Sequence, residues 1–417
     1  MRTNWSGNYT YRAAGLVQPS SLAEVQDVMR TTDHVRALGT GHTFTSIADT
    51  VGVQVSLARM PGEPSIDEGA GTVSVPAHWR YGELGRWLHE RGWALANLAS
   101  LPHISVAGAV ATATHGSGAG NQNLAAAVVA LELVTANGDV RTLTRRDPHF
   151  AAAVVGMGAV GIVTRLELTI EPTYAVTQWV YENLPWDAVG ADFDAIMGSA
   201  YSVSLFTDWL GQGAQLAYVK EREGAPHDAE LLQRVSGGRA SGPRHPLPGG
   251  PTENVTEQGT AGPWHERLPH FRLEFTPSGG EEIQSEYLVD ARHAVEAIDA
   301  LRAIGPQFSP LLYVSEIRTI AADDLWMSTA YDRDSVAFHF TWHRDQPAVE
   351  AVLPAIEAAL APFGARPHWG KLFLLGAAEI AELYPRFHEF RGLVEEWDPR
   401  GRLRNAFLDE HVLGPLG

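Results

Sequence analysis

Two short runs in the second half of the chain carry side chains whose types and spacing could do chemistry. In Tyr313-Val314-Ser315-Glu316-Ile317-Arg318-Thr319, the carboxylate of Glu316 and the guanidinium of Arg318 are two residues apart, so in an extended strand both leave the same face. In Phe338-His339-Phe340-Thr341-Trp342, His339 and Thr341 share one face, and Phe338, Phe340 and Trp342 take the other. If these strands are neighbours, one face offers a carboxylate, a guanidinium, an imidazole and a hydroxyl over an apolar backing. That mixture of donors and acceptors suits a ligand with several hydroxyl groups. The same pattern also describes a solvated sheet face with surface ion pairs. Further on, His368 and Lys371 flank Trp369-Gly370, which could set a cation beside a cofactor or be an ordinary loop lysine.

The first half is marked by glycine. Arg36-Ala37-Leu38-Gly39-Thr40-Gly41-His42-Thr43-Phe44 is a short apolar run that breaks into a turn. Amides in such a turn can approach a diphosphate and stabilise it without a lysine. The match to a Rossmann fingerprint fails, because Phe44 stands where the third glycine belongs and no strong helix follows. Alone, the turn is equally an ordinary tight turn, and His42 a hydrogen-bonded structural residue. Small-residue segments at 100–120 and 156–164 also let a backbone or ligand come close. Three such segments in one half of the chain point to one large ligand.

Periodicity indicates the elements that must position these groups. Leu22, Val25, Val28 and Met29 mark an amphipathic helix at 20–31 behind a serine cap, and Leu84, Trp87 and Leu88 mark another at 81–91. Strands are expected at 35–38, 51–57, 72–75 and 165–170, and Asn137-Gly138 joins a hairpin of 128–135 and 140–144. This interleaving predicts an α+β domain. After Glu171-Pro172 aromatics become frequent, which marks a domain boundary. Residues 221–263 read as a long irregular excursion, followed by strands at 284–289, 311–320 and 336–342 and helices at 292–304 and 348–360.

Composition narrows the chemistry. The 417 residues favour two domains. A net charge of −18, from 31 basic and 49 acidic residues, argues against nucleic acid and anionic membranes as partners. With no cysteine, disulfides, thiolate metal sites and cysteine nucleophiles are excluded, leaving His, Lys, Arg, Glu or a cofactor to do the chemistry. No secretory signal or membrane-spanning stretch is evident, so a cytoplasmic protein is expected. Its Ala, Gly and Arg content fits a GC-rich bacterial source.

Seven segments together carry a resemblance that covers nearly the whole chain. They are Gly39-Thr40-Gly41-His42-Thr43-Phe44, Ala99-Ser100-Leu101-Pro102-His103-Ile104-Ser105-Val106-Ala107-Gly108, Thr114-His115-Gly116-Ser117-Gly118, Ser202-Val203-Ser204-Leu205-Phe206-Thr207-Asp208-Trp209, Gly262-Pro263-Trp264-His265-Glu266-Arg267-Leu268-Pro269-His270-Phe271, Ser315-Glu316-Ile317-Arg318 and Arg366-Pro367-His368-Trp369-Gly370-Lys371. The chain resembles the alditol oxidases, also called xylitol or sugar-alcohol oxidases, of the vanillyl-alcohol-oxidase-like flavoproteins. The resemblance implies an α+β, two-domain FAD-linked oxidase with a PCMH-type FAD-binding domain at 1–172. It further implies a substrate domain with a large antiparallel sheet at 173–365, and a segment at 366–417 returning to the first domain.

The activity so implied is oxidation of the terminal primary hydroxyl of an acyclic polyol such as xylitol, sorbitol or glycerol, with O2 reduced to hydrogen peroxide. By the same resemblance Ser100, Glu316, Arg318 and Thr341 contact substrate hydroxyls. The same resemblance puts His339 and Lys371 near the reacting carbon and the flavin. A neutral imidazole near pH 7 can accept the hydroxyl proton, which makes His339 the candidate base, with water or Lys371 as the alternatives, and Lys371 or Arg318 would stabilise negative charge. FAD would be held by Ala37, Leu38, Gly39, Thr40, Gly41 and Thr43, by Ser100, Ser105, Gly108, Ala111, Thr112, Thr114, His115 and Gly116, and by Ile162, Val163, His368 and Lys371. A covalent bond through His42 is implied as well. The partners expected are a polyol and O2, with no nucleic acid, no membrane and no metal, and the protein is expected to be a monomer. A related polyol or aldonolactone dehydrogenase with another electron acceptor, or a non-catalytic sugar-binding protein, would carry many of the same motifs.

Overall fold

The computed structural model describes residues 2–275 and 281–415, so residues 1 and 417, the outer limits of the expected domain division, lie outside it. At the start, β1 (Gly15–Val17) and β2 (Val35–Ala37) flank β3 (Val53–Val55) in a small parallel sheet. The helix Leu22–Thr31 joins the first two, capped by Ser21, whose side chain accepts from the Glu24 amide, with Val25 and Met29 buried one turn apart. β2 ends at Ala37, and the chain enters the first glycine turn, where Gly41 has φ +71°, a conformation that favours glycine. Only a single 3-10 turn, Ser46–Ala48, follows.

A second sheet begins with the hairpin β4 (Ser65–Asp67) and β5 (Thr72–Pro76), after which β6 (Trp93–Ala94) lies apart. The sheet resumes with β7 (Val128–Val134), β8 (Val140–Thr144) and β9 (Ile162–Thr169), in the antiparallel order β4-β5-β9-β7-β8. Asn137-Gly138 turns the β7–β8 hairpin as expected, with Gly138 at φ +81°. β9 starts before residue 165 because Ile162 and Val163 already pair with Val134 and Leu133. β10 (Glu171–Pro172) pairs back onto β6.

The remainder forms one antiparallel sheet of β11 (Ala175–Pro185), β12 (Ser202–Thr207), β13 (Gly213–Arg222), β14 (Gly262–Pro263), β15 (Glu282–Asp290), β16 (Leu312–Ile320), β17 (Ser335–His343) and β18 (Arg366–Pro367). Its order is β14-β11-β13-β12-β16-β17-β15-β18. The aromatic face of β17 is covered by the helix Ala294–Phe308, with Phe308 packing edge-on to Phe340 at 5.6 Å and Trp342 at 6.0 Å between ring centroids. The excursion at 221–263 is less irregular than its glycines and prolines imply. It contains the helix Ala229–Val235, which buries Leu231 and Leu232 and is capped by the Asp228 side chain.

After β18 the helices Ala377–Leu383, Phe387–Trp397 and Ala406–His411 return to the first half. There Asn405 Nδ2 donates to the carbonyls of Ser46, Ile47 and Asp49. Among the described residues, no helix is long and apolar enough to cross a membrane.

Candidate active site

Between the glycine segments and the large sheet lies a cavity of about 450 Å³. Ala37, Leu38, Gly39, Thr40, Gly41, His42 and Thr43 form one wall, and Ser100, Ser105, Gly108, Ala111, Thr112, Thr114, His115 and Val163 continue it. Glu316, Arg318, His339, Thr341, His368 and Lys371 line the sheet side. Two expected residues do not reach it. Ile162 is fully buried in its pairing with Val134, and Gly116 is packed so closely that a Cβ would lie 2.3 Å from the Leu98 carbonyl. Gly116 still acts one step away, its carbonyl bonding His115 Nδ1 at 3.0 Å.

The first wall has the character of a flavin cradle. Gly39 and Gly108 close on Ser105, where a Cβ would meet Ser105 Oγ at 2.5 Å and 2.8 Å respectively, so the Ser105 side chain has room only because both positions lack one. Thr40 Oγ1 accepts from the Ser105 amide at 3.3 Å and bonds His42 Nδ1 at 3.0 Å. His42 stacks on Trp5, whose amide donates to the Gly41 carbonyl. Burial lowers the His42 imidazole to about 4, so it is uncharged at neutral pH. Thr43 Oγ1 is buried without a partner in the same wall, a polar atom left for a ligand. Exposed backbone, an unpartnered hydroxyl and the apolar Val110, Leu131, Val154 and Val160 behind them fit an FAD.

The other wall is a ladder of polar side chains in register. Across β15, β17 and β16, Glu286, His339 and Glu316 form one rung, and Gln284, Thr341 and Val314 the next. Arg318 occupies the rung on the other side, opposite Ala337. Rungs on one face are two residues apart, about 6.8 Å along each strand. Glu316, Arg318, His339 and Thr341 thus do share one face, and they are buried, so the surface ion-pair reading does not hold.

Glu286 ties the ladder together. Its carboxylate accepts from Lys371 Nζ at 2.7 Å and from Arg318 Nη2, and His115 Nε2 is 3.4 Å away. Burial by itself would raise the Glu286 acid, but Lys371 and Arg318 more than reverse this and hold it well below the usual carboxylate range. Lys371 is placed by the turn after β18, where its amide donates to the His368 carbonyl. Burial pushes the Lys371 amine down to about 8 against the pull of Glu286. His115, Glu286 and His368 also bring possible metal-ligating atoms within 4.8 Å of one another. With Lys371 and Arg318 on the two carboxylate oxygens, the cluster is a charge network, not an ion cage.

His339 is uncharged at neutral pH, lowered to about 4 by burial and then by Lys371. Its Nδ1 lies 2.7 Å from Lys371 Nζ and its Nε2 3.0 Å from Thr341 Oγ1. A lysine ammonium only donates, so Nδ1 accepts and the ring proton sits on Nε2, directed at Thr341. Arg318 Nη1 reaches Ser100 Oγ at 3.3 Å, joining the ladder to the second glycine segment.

Sequence reasoning missed three buried groups here: Glu286, His270 and Lys220. Glu282, Gln284 and Glu286 repeat every second residue in β15, a polar alternation on a buried strand that could have been noticed. His270 bonds Glu316, 46 positions away, and no local spacing announces it.

Residues 13–144 match the FAD binding domain family and residues 281–411 the D-arabinono-1,4-lactone oxidase family. The fold is that of a solved cholesterol oxidase of B. sterolicum, with a TM-score of 0.78 over 98% of this chain and 96% of the other at 16% identity. Cradle, ladder and fold together define an FAD-linked oxidoreductase. The chain is 46% identical to the alditol oxidase of Streptomyces sp. (strain IKD472 / FERM P-14339) over 99% of both chains. It is 28% identical to the L-gulono-1,4-lactone dehydrogenase of Mycobacterium tuberculosis (strain ATCC 25618 / H37Rv), again over 99% of both. The chain belongs to the alditol oxidase family.

Proposed function

We propose that the protein oxidises the terminal CH2OH of an acyclic polyol to the aldehyde of an aldose, using FAD and O2 and releasing hydrogen peroxide. The observation that carries this reading is the ladder: buried donors and acceptors alternate over successive rungs, as a chain of hydroxyls requires. The division into an FAD domain at 1–172, a substrate domain at 173–365 and a returning segment at 366–417 belongs to the same reading. So does a cytoplasmic monomer, and its net charge of −18 fits work away from nucleic acid and anionic membranes.

Bound FAD supplies the redox chemistry, taking up two electrons and passing them to O2. The reacting hydroxyl replaces the 2.7 Å hydrogen bond between Lys371 Nζ and His339 Nδ1, accepting from the first and donating to the second. His339 takes its proton on Nδ1, while Thr341 holds the Nε2–H and fixes the ring. The Lys371 ammonium stabilises the charge that develops on the oxygen as the proton leaves. Further hydroxyls bind to Ser100, Arg318 and Glu316. Arg318 Nε is buried without a partner 3.7 Å from Glu316 Oε2, a donor and an acceptor suited to one bridging hydroxyl. His42, uncharged and steadied by Thr40 and Trp5, is the attachment point for a covalent flavin.

Oxygen consumption with xylitol, sorbitol and glycerol tests the reaction, and one H2O2 per O2 is expected. Turnover with an artificial dye but not O2 would make it a dehydrogenase, and no turnover with any polyol would sink the substrate assignment. Acid precipitation of the same preparation should leave the yellow colour in the pellet, and His42→Ala should release it to the supernatant.

A further inference from the structure

Beside the ladder, on the same face of the sheet, a second line of buried polar groups ends on Glu316. Lys220 sits on β13 and is 1% exposed. Lysine is seldom buried without a carboxylate partner. Here its Nζ instead donates to the Leu268 carbonyl, to the Pro269 carbonyl at 3.0 Å and to His270 Nδ1 at 3.2 Å. Three acceptors match the three N–H bonds of an ammonium. Because that group only donates, His270 Nδ1 accepts, and the ring proton must sit on Nε2. From there it is directed at Glu316 Oε1, 2.7 Å away. The ring is held in place by Phe206 and Tyr218, which meet it edge-on with centroids at 5.6 Å and 5.3 Å. The His270 amide donates to the Ser100 carbonyl, so the same residue also supports the segment that carries Ser100.

We propose that Lys220 and His270 are positioning residues: Lys220 fixes the His270 tautomer, and His270 occupies one oxygen of Glu316 so that the other is held as a pure acceptor for a substrate hydroxyl. Naming that hydroxyl rests on the polyol reading; the tautomer does not. The reverse tautomer would set the Nε2 lone pair against the carboxylate. The contact could then be kept only by a proton on Glu316, which would turn an acceptor into a donor.

The test compares native enzyme with His270→Phe, His270→Gln and Lys220→Met, with xylitol turnover counted per bound FAD. Phenylalanine fills the ring's place but bonds nothing, so KM should rise about tenfold or more with kcat changed less than about threefold. Glutamine can accept from Lys220 and donate to Glu316, and should bring KM back toward the native value. Lys220→Met should raise KM in the same direction as His270→Phe. A role in packing alone predicts the opposite ranking, because Phe replaces the ring better than Gln does. An unchanged KM in His270→Phe or Lys220→Met, or a higher KM for Gln than for Phe, overturns the proposal. Nitrogen-15 histidine NMR, with the His270 signal assigned by its loss in His270→Gln, reads the tautomer without substrate. At pH 6, where Lys220, lowered by burial to about 7, is mostly the ammonium, Nε2–H is expected, and Nδ1–H or a doubly protonated ring overturns the proposal. If xylitol and other polyols are not oxidised by native enzyme, the polyol reading falls, and the NMR result still decides the tautomer.

Discussion

At Glu286 a single buried carboxylate balances Lys371 on one oxygen and Arg318 on the other. Desolvating such a group costs several kcal/mol, and only the two cations make its charge tolerable. The dependence runs both ways, since Glu286 is what keeps the buried Lys371 amine from falling below about 8. If protonated Lys371 steadies the leaving proton's oxygen, kcat should fall on the alkaline side near that value. Glu286→Gln removes the opposing pull while keeping the shape, so the alkaline limb should move to lower pH by about one unit or more. Rates per bound FAD from pH 5.5 to 9.5 check this, and a limb that stays in place would separate Lys371 from Glu286. Glu316, Arg318, His339 and Thr341 could be picked out in the sequence because alternation puts each pair on one face. Lys220 could not: near the end of a strand beside Glu221 and Arg222 it reads as a solvated terminus, and only the fold buries it.

At the scale of elements, the site depends on holding three separated segments against the glycine turn. Arg36, on β2 and 2% exposed, does this without a carboxylate at bonding distance. Its guanidinium donates to the carbonyls of Ile47 at 2.5 Å, Met157 at 2.6 Å, Gly158 at 3.0 Å and Leu403 at 2.9 Å. It therefore joins the turn, the third glycine segment and the returning C-terminal segment. Arg36→Met would leave these carbonyls buried and unpaired, each costing about 1–3 kcal/mol, partly offset by the charge no longer buried. A loss of about 3 kcal/mol or more in urea unfolding is expected, together with weaker FAD retention. An equal stability would show that water or a neighbour satisfies the carbonyls. The strands and helices around this clasp were legible wherever apolar residues repeat over several turns or pleats. The clasp was not, because Leu403 is 367 positions from Arg36 and the helix Ala229–Val235 was hidden by flanking glycines and prolines.

Over the whole molecule, burying so many ionisable groups makes stability a function of pH, and the sign follows from the directions of the shifts. His265, His270 and His339 are each lowered by burial from an ordinary 6.5 to about 4. Between those values the unfolded chain takes up protons that the folded chain refuses, so stability is lost as pH falls from about 6.5 toward 4. With His42, lowered to about 4 in the same way, four such groups titrating together give a slope of up to about 5 kcal/mol per pH unit. Glu286 and Glu316, both held below the ordinary carboxylate value of 4.5, extend the loss below that pH. On the alkaline side, burial lowers Lys220 to about 7 and Lys371 to about 8 from an ordinary 10.5. There the folded chain sheds protons that the unfolded chain keeps, so stability rises with pH through that window. The growing repulsion of a chain already at −18 opposes this rise. Urea midpoints followed by tryptophan fluorescence should therefore climb steeply from pH 4.5 to 6.5 and continue upward, less steeply, toward pH 9. Midpoints that stay flat between pH 4.5 and 6.5 would mean that His270 and His339 enter the folded state charged. That result would remove both the neutral base at His339 and the Nε2–H donor to Glu316.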